Sequence, residues 1–137
     1  MPYWLVKSEP DAFSWEQQVA NGVEPWTGVR NALAAKNLRA MRAGDCAFFY
    51  HSNIGKEAVG IVEVIALAHP DSTADDPKWE CVDIRALRKL PRPISLDEAK
   101  AEPRLKDMVL VTNSRLSVQP VTEAEWSVIM TLSGAGD

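Results

Sequence analysis

Cysteine and histidine are scarce in this chain of 137 residues, which contains two of each. Cys46 and Cys81 lack the paired CxxC spacing of a zinc site, and two cysteines do not provide a disulfide framework. We therefore interpret both as free thiols in a reducing compartment, and we predict a cytoplasmic protein without a metal or cofactor. The two histidines, His51 and His69, are 18 positions apart and match no metal-binding motif.

Long apolar runs are missing as well. The longest candidate, residues 59–68, contains Gly60 and Glu63 and is shorter than the roughly 18 residues that a membrane helix needs. The amino-terminal residues lack a basic stretch followed by an apolar one, so we expect no signal peptide.

Catalytic motifs are also absent. The chain has no GxxxxGKS, GxxxxGKT or GxGxxG loop for phosphates, no HExxH metal motif and no GxSxG nucleophile turn. Cys46 and His51 are five positions apart on one predicted strand, so they point to opposite faces. Cys81 would reach His51 only through a cross-strand contact. We therefore predict a protein that is not an enzyme and has no catalytic residues.

The net charge of −4 argues against a protein that coats nucleic acid non-specifically, because such proteins depend on many phosphate contacts. Two segments without acidic residues nevertheless carry eight of the 15 bases, which leaves seven bases against 19 acids elsewhere. The first segment contains Arg30, Lys36, Arg39 and Arg42, and the second contains Arg85, Arg88, Lys89 and Arg92. Lys36, Arg39 and Arg42 are either a solvated helix face or phosphate contacts.

Apolar periodicity and turn signals predict short strands alternating with helices. Predicted strands cover residues 3–7, 46–51, 59–68, 79–87 and part of 115–121, and residues 108–111 are a turn or strand. Capping-box patterns at Ser14, Ser95 and Thr122 begin helices, and a further helix covers residues 31–41. Pro91 and Pro93 are expected to break the chain.

Apolar residues on both faces of the central strands predict either a closed barrel or a sheet covered by helices. We assign the chain to the α+β class, with one domain over residues 1–137. The expected architecture is a small, mostly antiparallel β-barrel flanked by helices.

Four short clusters combine polar groups with aromatic residues or strand ends. They are WLVKSEP at 4–10, WTGVRN at 26–31, FYHSN at 49–53 and RLSVQPV at 115–121. Aromatic faces that stack, amides that read base edges and cations that meet phosphate are the groups that hold a planar base.

Each aromatic or basic candidate also has a simpler structural interpretation. Core positions on strands or helices suit Trp4, Trp15 and Trp126. Trp26 lies in a loop, where it is either a core residue or a stacking surface, and Trp79 is a core or edge residue of a strand. Arg30 and Asn31 fit equally well as a cap of the following helix.

The motifs YWLVKSEP, WTGVRN, FYHSN, VGIVEV, HPDSTA, WxxVDI and RLSVQPVTEAEW occur in an order that resembles the EVE domain family over about residues 2–133. The resemblance implies a PUA-like fold, a small barrel with packed helices, related to PUA, ASCH and YTH domains. It further implies a non-catalytic module that reads modified bases, such as methylated cytosine, in an aromatic-lined pocket. The segment at 71–78 is shorter than in many members of the family.

The resemblance and the clusters together give the predicted site. Base or ligand binding is assigned to Lys7, Ser8, Trp26, Arg30, Asn31, Tyr50, His51, Ser52, Trp79, Arg115 and Ser117. Phosphate binding is assigned to Lys36, Arg39 and Arg42, and the partner is modified DNA or RNA bound by a monomer. Two alternatives stay open: an enzyme or binder for a small planar metabolite, based on His51 beside Tyr50, and a protein-interaction module using the same groove.

Overall fold

A computed structural model describes residues 3–76, 78–113 and 115–135 of the chain. Its strands are β1 (Tyr3–Ser8), β2 (Val23–Pro25), β3 (Cys46–His51), β4 (Glu57–Pro70), β5 (Glu80–Ser95) and β6 (Val118–Val121). Its helices are α1 (Trp15–Asn21), α2 (Ala32–Ala40), α3 (Leu96–Ala101), α4 (Val109–Thr112) and α5 (Glu123–Ser133), with a 3-10 turn at Pro103–Leu105. None of the helices in these ranges is long and apolar enough to cross a membrane.

The strands form one mixed sheet in the order β2-β5-β4-β3-β1-β6. β1 and β3 are parallel neighbours, and the other four pairings are antiparallel. The α+β class with mostly antiparallel strands is therefore confirmed. Within the described residues β2 and β6 do not pair with each other, so the sheet is open and the prediction of a closed barrel is wrong. Both edge strands are short and contain a proline, Pro25 or Pro120, which cannot donate to a further strand.

Helices cover both faces of this sheet. Trp4, Val6 and Phe49 belong to the core under α1 and α2. Leu5 and Phe48, on the opposite face, belong to a second core under α3, α4 and α5. Because successive strand residues alternate between the faces, both cores draw apolar side chains from the same strands. The structure therefore shows the second of the two predicted arrangements, a sheet covered by helices.

Three segments differ from the sequence prediction. Residues 23–25, which lie outside the predicted strands, form β2, and residues 109–111 of the predicted turn or strand at 108–111 belong to helix α4 around the buried Leu110. A run of four apolar residues is too short for its periodicity to distinguish a helix from a strand. β5 continues through Pro91 and Pro93 to Ser95, because its register against β4 shifts there and leaves both prolines outside the regular ladder.

Candidate functional site

The polar ends of β1 and β3 meet at one edge of the sheet because these two strands run parallel side by side. Lys7 lies opposite Tyr50 in this pairing. The backbone extends the pairing beyond the strands, since the Ser52 amide donates to the Ser8 carbonyl and the Lys7 amide donates to the Ser117 carbonyl, both at 2.9 Å. Three of the four predicted clusters therefore meet at this edge.

The fourth cluster closes over the same edge and forms a pocket of about 580 Å³, here called the Trp26 pocket. The Trp26 amide donates to the Val82 carbonyl at 2.8 Å, which fixes the loop against β5. Trp26 is 7% exposed and belongs to the core under α1 and α2, where its ring packs edge-on against Phe49 and Phe13 with centroid distances of 5.6 and 6.1 Å. The predicted site residues that line this pocket are Lys7, Ser8, Trp26, Arg30, Asn31 and Ser117. Its volume and mixed lining are typical of a small-molecule or base site.

The loop beside this pocket is held by Asp71, a residue absent from the predicted site. The Asp71 carboxylate is buried and accepts hydrogen bonds from the Gly28 amide at 2.8 Å, Arg30 at 3.0 Å and the Thr73 amide at 2.7 Å. Burial by itself raises the pKa of Asp71, but the hydrogen bonds from Thr73, Gly28 and Arg30 outweigh it and hold the pKa well below its usual range. The signal in the sequence was the Asp-Ser-Thr triplet, since aspartate commonly accepts from the amide two residues later.

Asn31 has a structural role as well as a place in the pocket lining. Its Oδ1 accepts from the Ala34 amide at 3.0 Å, which makes it the N-cap of α2. The Arg30 guanidinium, in turn, donates to the Asp71 carboxylate at 3.0 Å and to the Thr73 hydroxyl at 3.1 Å. Both residues therefore brace the wall of the Trp26 pocket.

A second cavity of about 440 Å³, here called the Arg115 cavity, adjoins the first. Lys7, Glu9 and Ser117 line both cavities. The further predicted residues that line only the Arg115 cavity are Tyr50, Ser52 and Arg115. The structure thus divides the predicted ligand set between two adjacent compartments.

Lys7 stands where the two compartments meet, and its ammonium nitrogen lies 5.3 Å from the centroid of the Tyr50 ring. Burial lowers the pKa of Lys7 to about 8. Burial, followed by the nearby Asp97 and Glu57, raises the pKa of Tyr50 to about 12. At neutral pH this edge therefore presents a cation beside a neutral phenol, a combination suited to an anion or to the carbonyl of a base.

His51 is placed differently from its prediction. It lines neither the Trp26 pocket nor the Arg115 cavity, and its Nε2 accepts a hydrogen bond from the Trp15 backbone amide at 3.0 Å. Burial lowers the pKa of His51, which favours the neutral ring that this bond requires. The enzyme alternative depended on His51 beside Tyr50, so it loses the observation that supported it.

Trp79 and Arg39 lie together, apart from the Trp26 pocket. They line a small cavity of about 160 Å³ with Lys78. The Arg30 guanidinium and the Lys78 ammonium lie 5.9 and 5.0 Å from the centroid of the Trp79 ring. The exposed Lys36 and Arg42 contribute to none of these three cavities.

The second basic segment lies along β5, and two of its four bases are neutralised within the chain. Arg85 forms an ion pair with Glu63, and Arg92 forms a bidentate pair with Glu98 at 2.8 Å. This segment lines none of the cavities above. The two basic segments therefore share none of these three cavities.

Among the described residues, no group of three or more His, Cys, Asp and Glu side chains could hold a metal ion. Cys81 lies 3.8 Å from His69 Nδ1, and His69 Nε2 lies 2.8 Å from Asp83. Burial, followed by the nearby Asp71, Asp83 and Glu80, raises the pKa of Cys81 to about 11. This thiol is protonated at neutral pH, so the cluster lacks the thiolate that nucleophilic catalysis requires.

Comparison with known proteins adds an independent line of inference. A family model described as EVE domain matches residues 2–132. Thymocyte nuclear protein 1 of Rattus norvegicus is 39% identical over an alignment 167 positions long, which covers 97% of this chain and 74% of the relative. A crystal structure of human THYN1 protein in complex with 5-methylcytosine-containing DNA matches with a TM-score of 0.91 at 35% identity, over 97% of this chain and 98% of that one.

Two further structures match at different levels of similarity. A crystal structure of a protein from Agrobacterium tumefaciens matches with a TM-score of 0.94 at 58% identity, over 98% of this chain and 94% of that one. The YTH domain of Zygosaccharomyces rouxii MRB1, solved with N6-methyladenosine RNA, matches with a TM-score of 0.61 at 20% identity, over 96% of this chain and 86% of that one. The second likeness concerns the fold alone, and it agrees with the PUA-like architecture that the family resemblance implied.

Proposed function

Since the chain belongs to the EVE domain family, we propose that it binds a modified nucleobase of DNA or RNA in the Trp26 pocket without catalysing a reaction. The human relative solved with 5-methylcytosine-containing DNA shares this fold over nearly its whole length, which supports the proposal. The cavity of about 580 Å³ beside Trp26 carries it most directly.

The Trp26 pocket has the parts that a planar base needs. Trp26 supplies an aromatic ring to the pocket lining, and edge contacts with Phe13 and Phe49 fix the orientation of that ring. Lys7, Asn31 and Ser117 supply polar groups around that ring. A base stacked inside a duplex does not reach such a cavity, so the nucleotide enters extrahelically or from a single strand.

The proposal also assigns different roles to the residues around the pocket. Trp26 and Lys7 contact the ligand, whereas Arg30 and Asp71 fix the loop that forms the wall. Trp79 lies outside the pocket lining and is therefore not expected to stack on the same base.

Binding of labelled oligonucleotides with and without one 5-methylcytosine, followed by fluorescence anisotropy, tests this function. We expect tighter binding of the modified oligonucleotide, and a loss in Trp26→Ala of about tenfold to a hundredfold, because stacking contributes roughly 1–3 kcal/mol per base. Trp26→Phe, which keeps an aromatic ring in this buried position, should retain an intermediate affinity.

Trp126→Ala is the matched control, because Trp126 is as buried as Trp26 but packs in the core on the opposite face of the sheet, outside the pocket. Circular dichroism establishes that each variant is folded. Equal affinity of the wild type for both oligonucleotides, or an equal loss in Trp26→Ala and Trp126→Ala, would contradict the proposal.

A further inference from the structure

We propose that the Arg115 cavity binds a phosphodiester group of the nucleotide whose base occupies the Trp26 pocket, so that one nucleotide spans both cavities. This inference rests on the proposed function, and it adds a phosphate subsite to it. The first support is position, because Lys7, Glu9 and Ser117 line both cavities and make them contiguous.

The second support is charge. The Arg115 cavity contains three cations, Lys7, Lys56 and Arg115, against the single carboxylate of Glu9, in a chain whose net charge is −4. Within the described residues neither Lys56 nor Arg115 forms an ion pair, whereas Arg30 in the neighbouring pocket is bound to Asp71. Lys56 and Arg115 thus keep their charge available to an external anion.

The third support is the kind of group around these cations. Tyr50, Ser52 and Ser117 bring hydroxyls and Asn53 brings an amide, all of which donate to phosphate oxygens in nucleic-acid complexes. Arginine and lysine beside such donors are the usual phosphate contacts. An apolar ligand, by contrast, would leave these polar groups unsatisfied.

The fourth support is the backbone of the loop between β3 and β4. Asn53 and Lys56 have φ values of 65° and 49°, and they are the two non-glycine residues with positive φ in the described chain. Gly55 between them also has a positive φ, of 86°. Such conformations are uncommon outside glycine and concentrate at ligand sites, where the surrounding structure maintains them. Both residues line the Arg115 cavity.

The inference also explains why an acidic protein would bind nucleic acid. A subsite for one phosphate needs a few cations in one place, which a negative total charge permits. Phosphate binding here differs from the prediction, which placed it on Lys36, Arg39 and Arg42 of the α2 region, outside both adjoining cavities.

The experiment compares the double variant Lys56→Gln/Arg115→Gln with Arg88→Gln/Lys89→Gln, which removes two exposed bases from β5 and has the same net charge. Each protein is titrated with an oligonucleotide carrying one 5-methylcytosine, with the unmodified oligonucleotide, and with the free nucleoside 5-methyl-2′-deoxycytidine. The oligonucleotide titrations are repeated between about 0.05 and 0.5 M NaCl, over which phosphate contacts weaken.

We expect the cavity variant to bind the oligonucleotides about fivefold to tenfold more weakly at 0.1 M salt, with a log–log salt slope smaller in magnitude by about 1 for each lost contact. The β5 variant should keep the wild-type slope. Nucleoside binding should stay within about twofold in both variants, because the nucleoside has no phosphate.

An unchanged salt slope in the cavity variant overturns the subsite, as does a nucleoside loss equal to the oligonucleotide loss. If the wild type shows no preference for the modified base, the proposed function fails, and the slope for the unmodified oligonucleotide still decides the phosphate subsite. If the wild type binds none of the three ligands, both proposals are overturned.

Discussion

Replacing Asp71 by asparagine tests whether this buried carboxylate organises the pocket wall. The substitution keeps the size of the side chain but removes its charge and turns one acceptor into an NH2 group. That NH2 then faces donors from Gly28, Arg30 or Thr73, so at least one buried hydrogen bond is lost.

The expected magnitude follows from these contacts. Hydrogen bonds to a charged group contribute about 1.5–3 kcal/mol each, and breaking a fully buried ion pair costs about 3–5 kcal/mol. The Arg30 side chain is 39% exposed and can be solvated in the variant, so the lower part of these ranges applies. We expect Asp71→Asn to lower the free energy of unfolding by about 2–3 kcal/mol, which for a chain of this length lowers Tm by roughly 6–10 °C.

The pH dependence provides a second readout. The pKa of Asp71 is lower in the folded protein than in the unfolded chain, so its stabilisation is present above the unfolded value of 3.8 and is lost as pH falls towards the folded pKa. The difference in Tm between wild type and Asp71→Asn should therefore be constant between pH 7 and about 5 and should shrink below about pH 4.

Thermal unfolding followed by circular dichroism measures both effects, with Asp76→Asn as the matched control. Asp76 lies in the same loop, but its side chain is 55% exposed and its Oδ2 is 4.0 Å from the Lys78 ammonium. Its Oδ1 accepts from the Lys78 amide at 3.0 Å, a bond that the oxygen of an asparagine can keep. The loss of the Asp76 charge should change stability by at most about 0.5 kcal/mol. Equal Tm values for the two variants, or an Asp71→Asn deficit that persists undiminished at pH 3, would refute the reasoning.

Two further predictions concern packing beneath the pocket and protonation at its edge. Gly60→Ala should lower the free energy of unfolding, measured in urea, by about 1–3 kcal/mol, because the added Cβ would lie 2.5 Å from the Trp15 ring. Combining it with Trp15→Phe should cost less than the sum of the two single changes. Strict additivity of the two changes would contradict the clash. Since Lys7 has a pKa of about 8, the oligonucleotide affinity of the wild type should fall as pH rises beyond 8, by at most about tenfold per pH unit. In the same anisotropy assay, the affinity of Lys7→Arg should stay constant between pH 7 and 9.5, because arginine keeps its charge over this range. A pH profile shared by both proteins would assign the effect to another group.

The sequence predicts most elements because their signals are local. Ser14 and Thr122 form the reciprocal caps that their spacing indicates, and β3 has the predicted bounds. β5 was predicted to end before Pro91, and the continuation depends on where β4 pairs with it, which no local pattern encodes. The open edge of the sheet is likewise a matter of which strands pair, not of which strands exist.

The candidate site shows the same division between local and non-local information. Lys7, Ser8 and Tyr50 were recognised as polar strand ends, but their meeting depends on the parallel pairing of β1 with β3. Asp71 was missed because its partners Gly28 and Arg30 are more than 40 positions away. The single-domain extent, the monomeric state and the cytoplasmic location stay predictions.

Because β1 and β3 pair in parallel, the Trp26 pocket is built from two different parts of the chain. Adjacent parallel strands require a long connection, and residues 9–45 supply it here, including the Trp26 loop and α2. Part of the Trp26 pocket lining thus belongs to the sheet, and the rest belongs mainly to the connecting segment. Ligand preference can therefore diverge among relatives through changes in this connection while the framework strands, and the stability they provide, are left untouched.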